Sequence, residues 1–202
     1  KPMVIGTFIM VATYSLFYIM TAFAQAYSRT PATLSEAGYP MGLGIPANTF
    51  TGLLLMSAIV FAIFISISGL YADKIGRRKW LIWTTVSILI FALCMPLFLG
   101  NGTPASVFAF LVIGMALMGM TFGPMAALLP ELFPTEVRYS GASLAYNIAS
   151  IIGATIAAMI SLKINALYGL MGVGIYLAIN AFLTLLALLA SKETKNVDLT
   201  QI

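Results

Sequence analysis

Long uncharged stretches separated by brief charged or Gly- and Pro-rich punctuation make up the chain. No charge falls between Pro2 and Ser28, and this apolar run predicts a helix over about residues 3–27. The segment from Thr30 to Thr49 is rich in Pro, Gly and Thr, which is loop chemistry. A second helix is expected over about 48–72, stopping at the cluster Asp73-Lys74-Ile75-Gly76-Arg77-Arg78-Lys79. From Trp80 to Pro130 the chain is again uncharged, too long for one membrane crossing and the right length for two. Gly100-Asn101-Gly102-Thr103-Pro104 supplies the turn between helices at about 80–99 and 105–129. Two more are expected at about 138–162 and 170–191. The expected fold class is an all-α membrane protein, a single domain over 1–202 with six transmembrane helices.

Composition agrees with that pattern. Hydrophobic residues make up 61% and charged residues 8%, against roughly 45–50% and 25% in an ordinary soluble domain. At about 20 residues per crossing, a chain of 202 residues leaves no room for a separate extramembrane domain. There is no histidine, and the one cysteine, Cys94, lies inside an apolar run. Ser-His dyads, His-ligated metals, disulfides and Cys clusters are therefore excluded within these residues, and no metal or cofactor is expected. No basic stretch alternates with aromatic residues as a nucleic-acid groove requires, so nucleic acid is not an expected partner. The chain opens on Lys1, almost directly in an apolar segment, which reads as a cut through a longer protein.

The basic residues set an orientation. Lys1, Lys74, Arg77, Arg78, Lys79, Arg138, Lys192 and Lys195 fall on one side of the expected topology, and only Arg29 and Lys163 on the other. Such a bias places both chain ends and the charged loops in the cytoplasm.

Two of those loops carry more than charge. In Gly69-Leu70-Tyr71-Ala72-Asp73-Lys74-Ile75-Gly76-Arg77-Arg78 an acid sits at the C-terminal end of a helix, where the dipole already presents negative charge. Asp73 therefore needs a cationic partner or another helix N-terminus. Gly69 permits close helix approach, and Gly76 permits the reversal that returns Arg77 and Arg78. The second loop reads Leu129-Pro130-Glu131-Leu132-Phe133-Pro134-Thr135-Glu136-Val137-Arg138. There Pro130 and Pro134 end one helix and break the linker, Thr135 is expected to cap the next, and Arg138 occupies its first turn, the unfavourable end for a cation. Asp73, Arg77 and Arg78 with Glu131 and Arg138 are expected to settle one another's charges where the loops meet.

The pattern Gly-x-x-x-Asp-Lys-x-Gly-Arg-Arg resembles the signature loop of the major facilitator superfamily. Pro-Glu-Leu-Phe-Pro-Thr-Glu-Val-Arg-Tyr-Ser-Gly-Ala, followed by a Ser- and Asn-bearing helix, is similar to its metabolite:proton symporter family. The resemblance covers the whole chain but only the C-terminal half of that family. It implies two inverted three-helix repeats, about 1–99 and 100–202, and alternating access against a missing N-terminal half. It also implies a small-molecule substrate, an organic acid or compatible solute, and coupling to protons in the bacterial inner membrane.

Helix one carries Tyr14, Tyr18, Thr21 and Gln25 on one stripe, and helix five carries Ser143, Asn147, Ser150, Ala154 and Ser161. Polar groups at bilayer depth face protein or water, so Tyr14, Tyr18, Thr21, Gln25, Asn147 and Ser150 are the candidate cavity residues. Gly119 and Gly123 form a Gly-x-x-x-Gly pair suited to close packing, with Pro124 permitting a kink. No ionisable residue lies near the middle of any expected span, so a proton-coupling acid is expected in the missing half. The absence of an embedded acid or His also argues against an intramembrane enzyme. The alternative is a complete six-helix protein acting as a homodimeric channel or assembly subunit.

Overall fold

A computed structural model describes residues 2–191 of the chain. Lys1, Lys192 and Lys195, which contribute to the expected orientation, lie outside the described residues. Helix α1 covers Pro2–Arg29 and is widened by a π turn at Ile19–Phe23. Helix α2 (Ala47–Ile75) reverses at Gly76, whose φ of 112° suits glycine alone, into α3 (Arg77–Leu93) and the short α4 (Met95–Leu99). Helix α5 (Pro104–Glu131) starts from Thr103, whose hydroxyl oxygen accepts the Ser106 N–H at 3.2 Å, with Pro104 in the first position. A 3₁₀ turn at Thr135–Val137 leads to α6 (Arg138–Ser150), then a π turn at Ile151–Thr155 leads to α7 (Ile156–Ala190), non-helical at Gly169.

This arrangement corrects the expectation of six crossings. Among the described residues, four segments have the length and apolarity to cross a membrane: Pro2–Arg29, Ala47–Ile75, Pro104–Glu131 and Met159–Ala190. The expected third helix is split at Cys94, leaving 17 residues in α3, or about 25 Å against a hydrocarbon core of about 30 Å. Pro96 explains the split, because it has no N–H to give the Ala92 carbonyl, and Gly174 of α7 packs against that carbonyl instead. The expected fifth helix does not stand as a separate crossing: the 13 residues of α6 pass through the Ile151–Thr155 π turn into α7, where the apolar segment is Met159–Ala190. No clear inverted three-helix repeat is shown by the described residues. What holds is an all-α, multi-pass membrane fold.

Apolar burial does little to join helices in lipid, where close packing and interhelical hydrogen bonds do the work. Helix α5 lies against α2 through its small residues: a Cβ at Gly119 would stand 2.7 Å from the Phe61 carbonyl, and one at Gly123 would stand 2.7 Å from that of Ile65. Ser68 of α2 donates to the Gly119 carbonyl at 3.0 Å. A Cβ at Gly69 would meet nothing within 4 Å, so the close approach comes from the α5 glycines and not from Gly69. Helix α7 is stitched to α1 by Asn180, which donates to Ser15 Oγ at 3.0 Å, and by Thr184. The Thr184 hydroxyl accepts the Ala12 N–H at 3.1 Å and donates to the Phe8 carbonyl at 2.6 Å, inserting itself into the α1 ladder.

Candidate functional site

The charged end of the bundle is built by the turn between α2 and α3 and the end of α5. Arg77 Nε donates to Asp73 Oδ1 at 3.0 Å, and Arg77 Nη1 donates to Glu131 Oε1. The Arg77 and Glu131 side chains are 21% and 12% exposed, whereas that of Asp73 is 64% exposed. Burial works against the charge on Arg77, but its bonds to Glu131 and Asp73 outweigh this and hold its pKa above the ordinary value. Asp73 thus finds the partner that its place at a helix C-terminus demands.

The other arginines of the two loops also bond to backbone carbonyls. Arg78 donates from Nε to the Leu188 carbonyl at 2.7 Å and from Nη2 to that of Leu189 at 2.9 Å. A cation there meets the negative end of α7 and occupies otherwise unpaired terminal carbonyls. Arg138 reaches back along the linker, donating to the Phe133 carbonyl at 3.4 Å and to Thr135 Oγ1 at 3.3 Å. Thr135 opens the 3₁₀ turn and does not cap α6, which begins at Arg138 behind Val137. Pro130 also lies within α5, which ends one residue later at Glu131.

Beside this network opens a cavity of about 690 Å³. One wall is α5, through Phe122, Met125, Ala126, Leu129 and Pro130; another is α6, through Arg138, Tyr139, Ala142, Ser143 and Tyr146; Met10 of α1 adds to the lining. An apolar wall with a few hydroxyls and one guanidinium suits a small molecule that is partly apolar and carries polar groups.

None of the six residues expected to touch substrate is among those lining this cavity. Tyr14 is buried, its ring edge-on to Tyr146 at 5.3 Å between centroids. Tyr18 is half-buried and meets Phe17 in the same manner at 5.2 Å. Thr21 lies in the π turn and donates to the Phe17 carbonyl at 2.7 Å. Gln25, with its amide oxygen turned toward Arg29, accepts from both Nη atoms at 3.2 Å. Asn147 is exposed and donates to the Ser143 carbonyl at 2.8 Å, and Ser150 closes α6 half-buried. Sequence reasoning passed over Tyr139 and Tyr146, although Tyr139, Ser143 and Tyr146 recur at helical spacing directly after Arg138. It also passed over Trp80, whose indole N–H donates to the Met120 carbonyl of α5 at 3.0 Å.

The family described as "Sugar (and other) transporter" matches residues 41–202. The chain belongs to this family. A putative metabolite transport protein of Haemophilus influenzae is 87% identical over 202 residues, all of this chain and 46% of the relative. The inner membrane metabolite transport protein YhjE of Escherichia coli is 52% identical over 198 residues, 97% of this chain and 43% of the relative. A proline/betaine transporter of Salmonella typhimurium is 28% identical over 190 residues, 93% of this chain and 35% of the relative. The chain thus spans less than half the length of these curated relatives. No solved structure matches it. The chain is therefore a membrane-embedded relative of metabolite transporters of the major facilitator type.

Proposed function

We propose that the chain is the C-terminal half of a secondary active transporter that moves a small metabolite, an organic acid or compatible solute, across the bacterial inner membrane by alternating access coupled to protons. The observation that carries the reading is the bond from Arg77 to Glu131 and Asp73, which ties the α2–α3 turn to the end of α5 beside a cavity opening at the same end. An ion pair so placed stabilises the state in which that end is shut and must break when it opens. The relatives' names supply the chemistry: metabolite transport, an inner membrane, and, more distantly, proline and betaine.

In this reading the charged end and both chain ends are cytoplasmic, in keeping with the basic residues gathered there. The partners are the lipid bilayer, an N-terminal half of the same protein, the metabolite and protons. Tyr14, Tyr18, Thr21, Gln25, Asn147 and Ser150 line the path once the halves face each other, while Gly69, Asp73, Gly76, Arg77, Arg78, Glu131 and Arg138 form the cytoplasmic gate. Gly119, Gly123 and Pro124 set how α5 packs and bends. The group that takes the proton belongs to the other half.

Uptake of a labelled panel of organic acids, betaines and imino acids by proteoliposomes holding the full-length protein tests this. Accumulation of at least one compound under an imposed proton gradient, lost when the gradient is collapsed, is the expected result. A homodimer that passes solute without accumulation would overturn it in favour of a channel.

A further inference from the structure

Pro124 stands inside α5 and has no N–H, so the Met120 carbonyl one turn earlier loses its ladder partner. An unpaired carbonyl within a membrane-spanning helix is costly and must be met by a neighbour. Trp80 is that neighbour, its Nε1–H donating to Met120 O at 3.0 Å from the first turn of α3. Three residues earlier on the same side of α3, Arg77 holds Glu131, two turns beyond Pro124. One turn of α3 thus fastens α5 on both sides of the proline. The stretch between the two fastenings contains Phe122, Met125, Ala126, Leu129 and Pro130, which is the α5 wall of the cavity. The Trp80 ring is itself set by stacking on Tyr71 of α2, with centroids 5.9 Å apart.

We infer that Trp80 is a positioning residue for the cavity: by capping the carbonyl that Pro124 releases, it fixes the course of α5 and with it the place of the α5 wall. The Arg77 pair is the fastening that a change of charge can release, and the Trp80 cap is the fixed point about which the wall then turns. This role goes beyond the transport reading, because it concerns the shape of α5 whatever passes the cavity.

The test uses the full-length protein in proteoliposomes, with Cys94→Ser removing the cysteine of this chain and Ala126→Cys placing a thiol on the exposed cavity wall. Maleimide labelling rates are compared for four versions: parent, Trp80→Phe, Pro124→Ala and the double variant. Trp80→Phe keeps an aromatic ring against Tyr71 and removes only the N–H. It is expected to raise the labelling rate by about threefold to fifteenfold, the range one interhelical hydrogen bond carries. With Pro124→Ala the backbone N–H returns, Met120 is satisfied within α5, and the same Trp80→Phe change is expected to become silent. An equal effect in both backgrounds would show ring packing and overturn the inference, as would no effect beside Pro124. Should Trp80→Phe fail to fold, indole hydrogen exchange in a Trp83→Phe background decides instead: slow exchange of the Trp80 N–H supports the cap, and exchange as fast as a solvent-open indole refutes it. Neither readout needs a substrate, so both are separable from failure of the transport reading.

Discussion

Replacing Glu131 by Gln removes the charge that Arg77 meets while keeping the shape of the side chain. Removing one partner of a fully buried ion pair costs about 3–5 kcal/mol, because the other charge is left without compensation. Here Arg77 is 21% and Glu131 12% exposed, and Gln retains an acceptor, so a smaller cost applies: about 2 kcal/mol, or roughly a thirtyfold shift in a two-state balance. Asp73→Asn removes the other acid, but that side chain is 64% exposed, and an exposed pair is worth under about 1 kcal/mol, a factor of roughly five at most. Arg77 itself stays charged, since its pKa is held above an already high ordinary value, so the ranking is set by the acids. The assay is maleimide labelling of Ala126→Cys in a Cys94→Ser background, with the charged end facing the reagent. Glu131→Gln is expected to increase the rate several times more than Asp73→Asn. An equal or larger effect of Asp73→Asn would refute the assignment of Glu131 as the principal partner, and unchanged labelling in both would refute the gate.

Other expectations follow from the packing. Gly123→Ala would press a methyl group into Ser68 and the Ile65 carbonyl and is expected to cost about 1–3 kcal/mol, seen as a lower melting temperature in detergent; Gly69→Ala, with open space around it, should leave melting unchanged or slightly raised. Thr184→Val removes the hydroxyl inserted between Ala12 and Phe8 and should destabilise by about 0.5–1.5 kcal/mol in the same measurement; wild-type melting would show that the α1 ladder closes without loss. If the polar stripes face the path, Tyr14→Ala and Asn147→Ala raise the apparent KM for uptake, and wild-type kinetics in both would remove them from it.

The charged residues made much of this site legible in the sequence, because in an apolar chain each one must be at an end or in a partnership. Asp73 at a helix C-terminus demanded a cation, and Arg77 is there. Which arginine meets which acid was not legible, nor was the capping of the Leu188 and Leu189 carbonyls by Arg78, which is set by where α7 ends in space and not by spacing along the chain. The crossings were overcounted because hydropathy reports apolarity and not continuity. Pro96 splits one run that reads as uniform, and the run expected as a fifth helix passes through the π turn at Ile151–Thr155 into α7. Pro124 was legible as a place where α5 could kink, but the indole that meets the carbonyl it frees, Met120 O, comes from a residue forty positions away from Met120.

Within the four residues from Arg77 to Trp80, three place contacts on three different helices: Arg77 on α2 and α5, Arg78 on α7, Trp80 on α5. Such a hub tolerates insertion poorly. One added residue at Gly76 would rotate everything after it by about 100° about the α3 axis, turning every one of those side chains off its target together. The turn at Gly102, which joins α4 to α5 at the opposite end and carries no comparable set of bonds among those described, is the better place to cut the chain or graft a reporter.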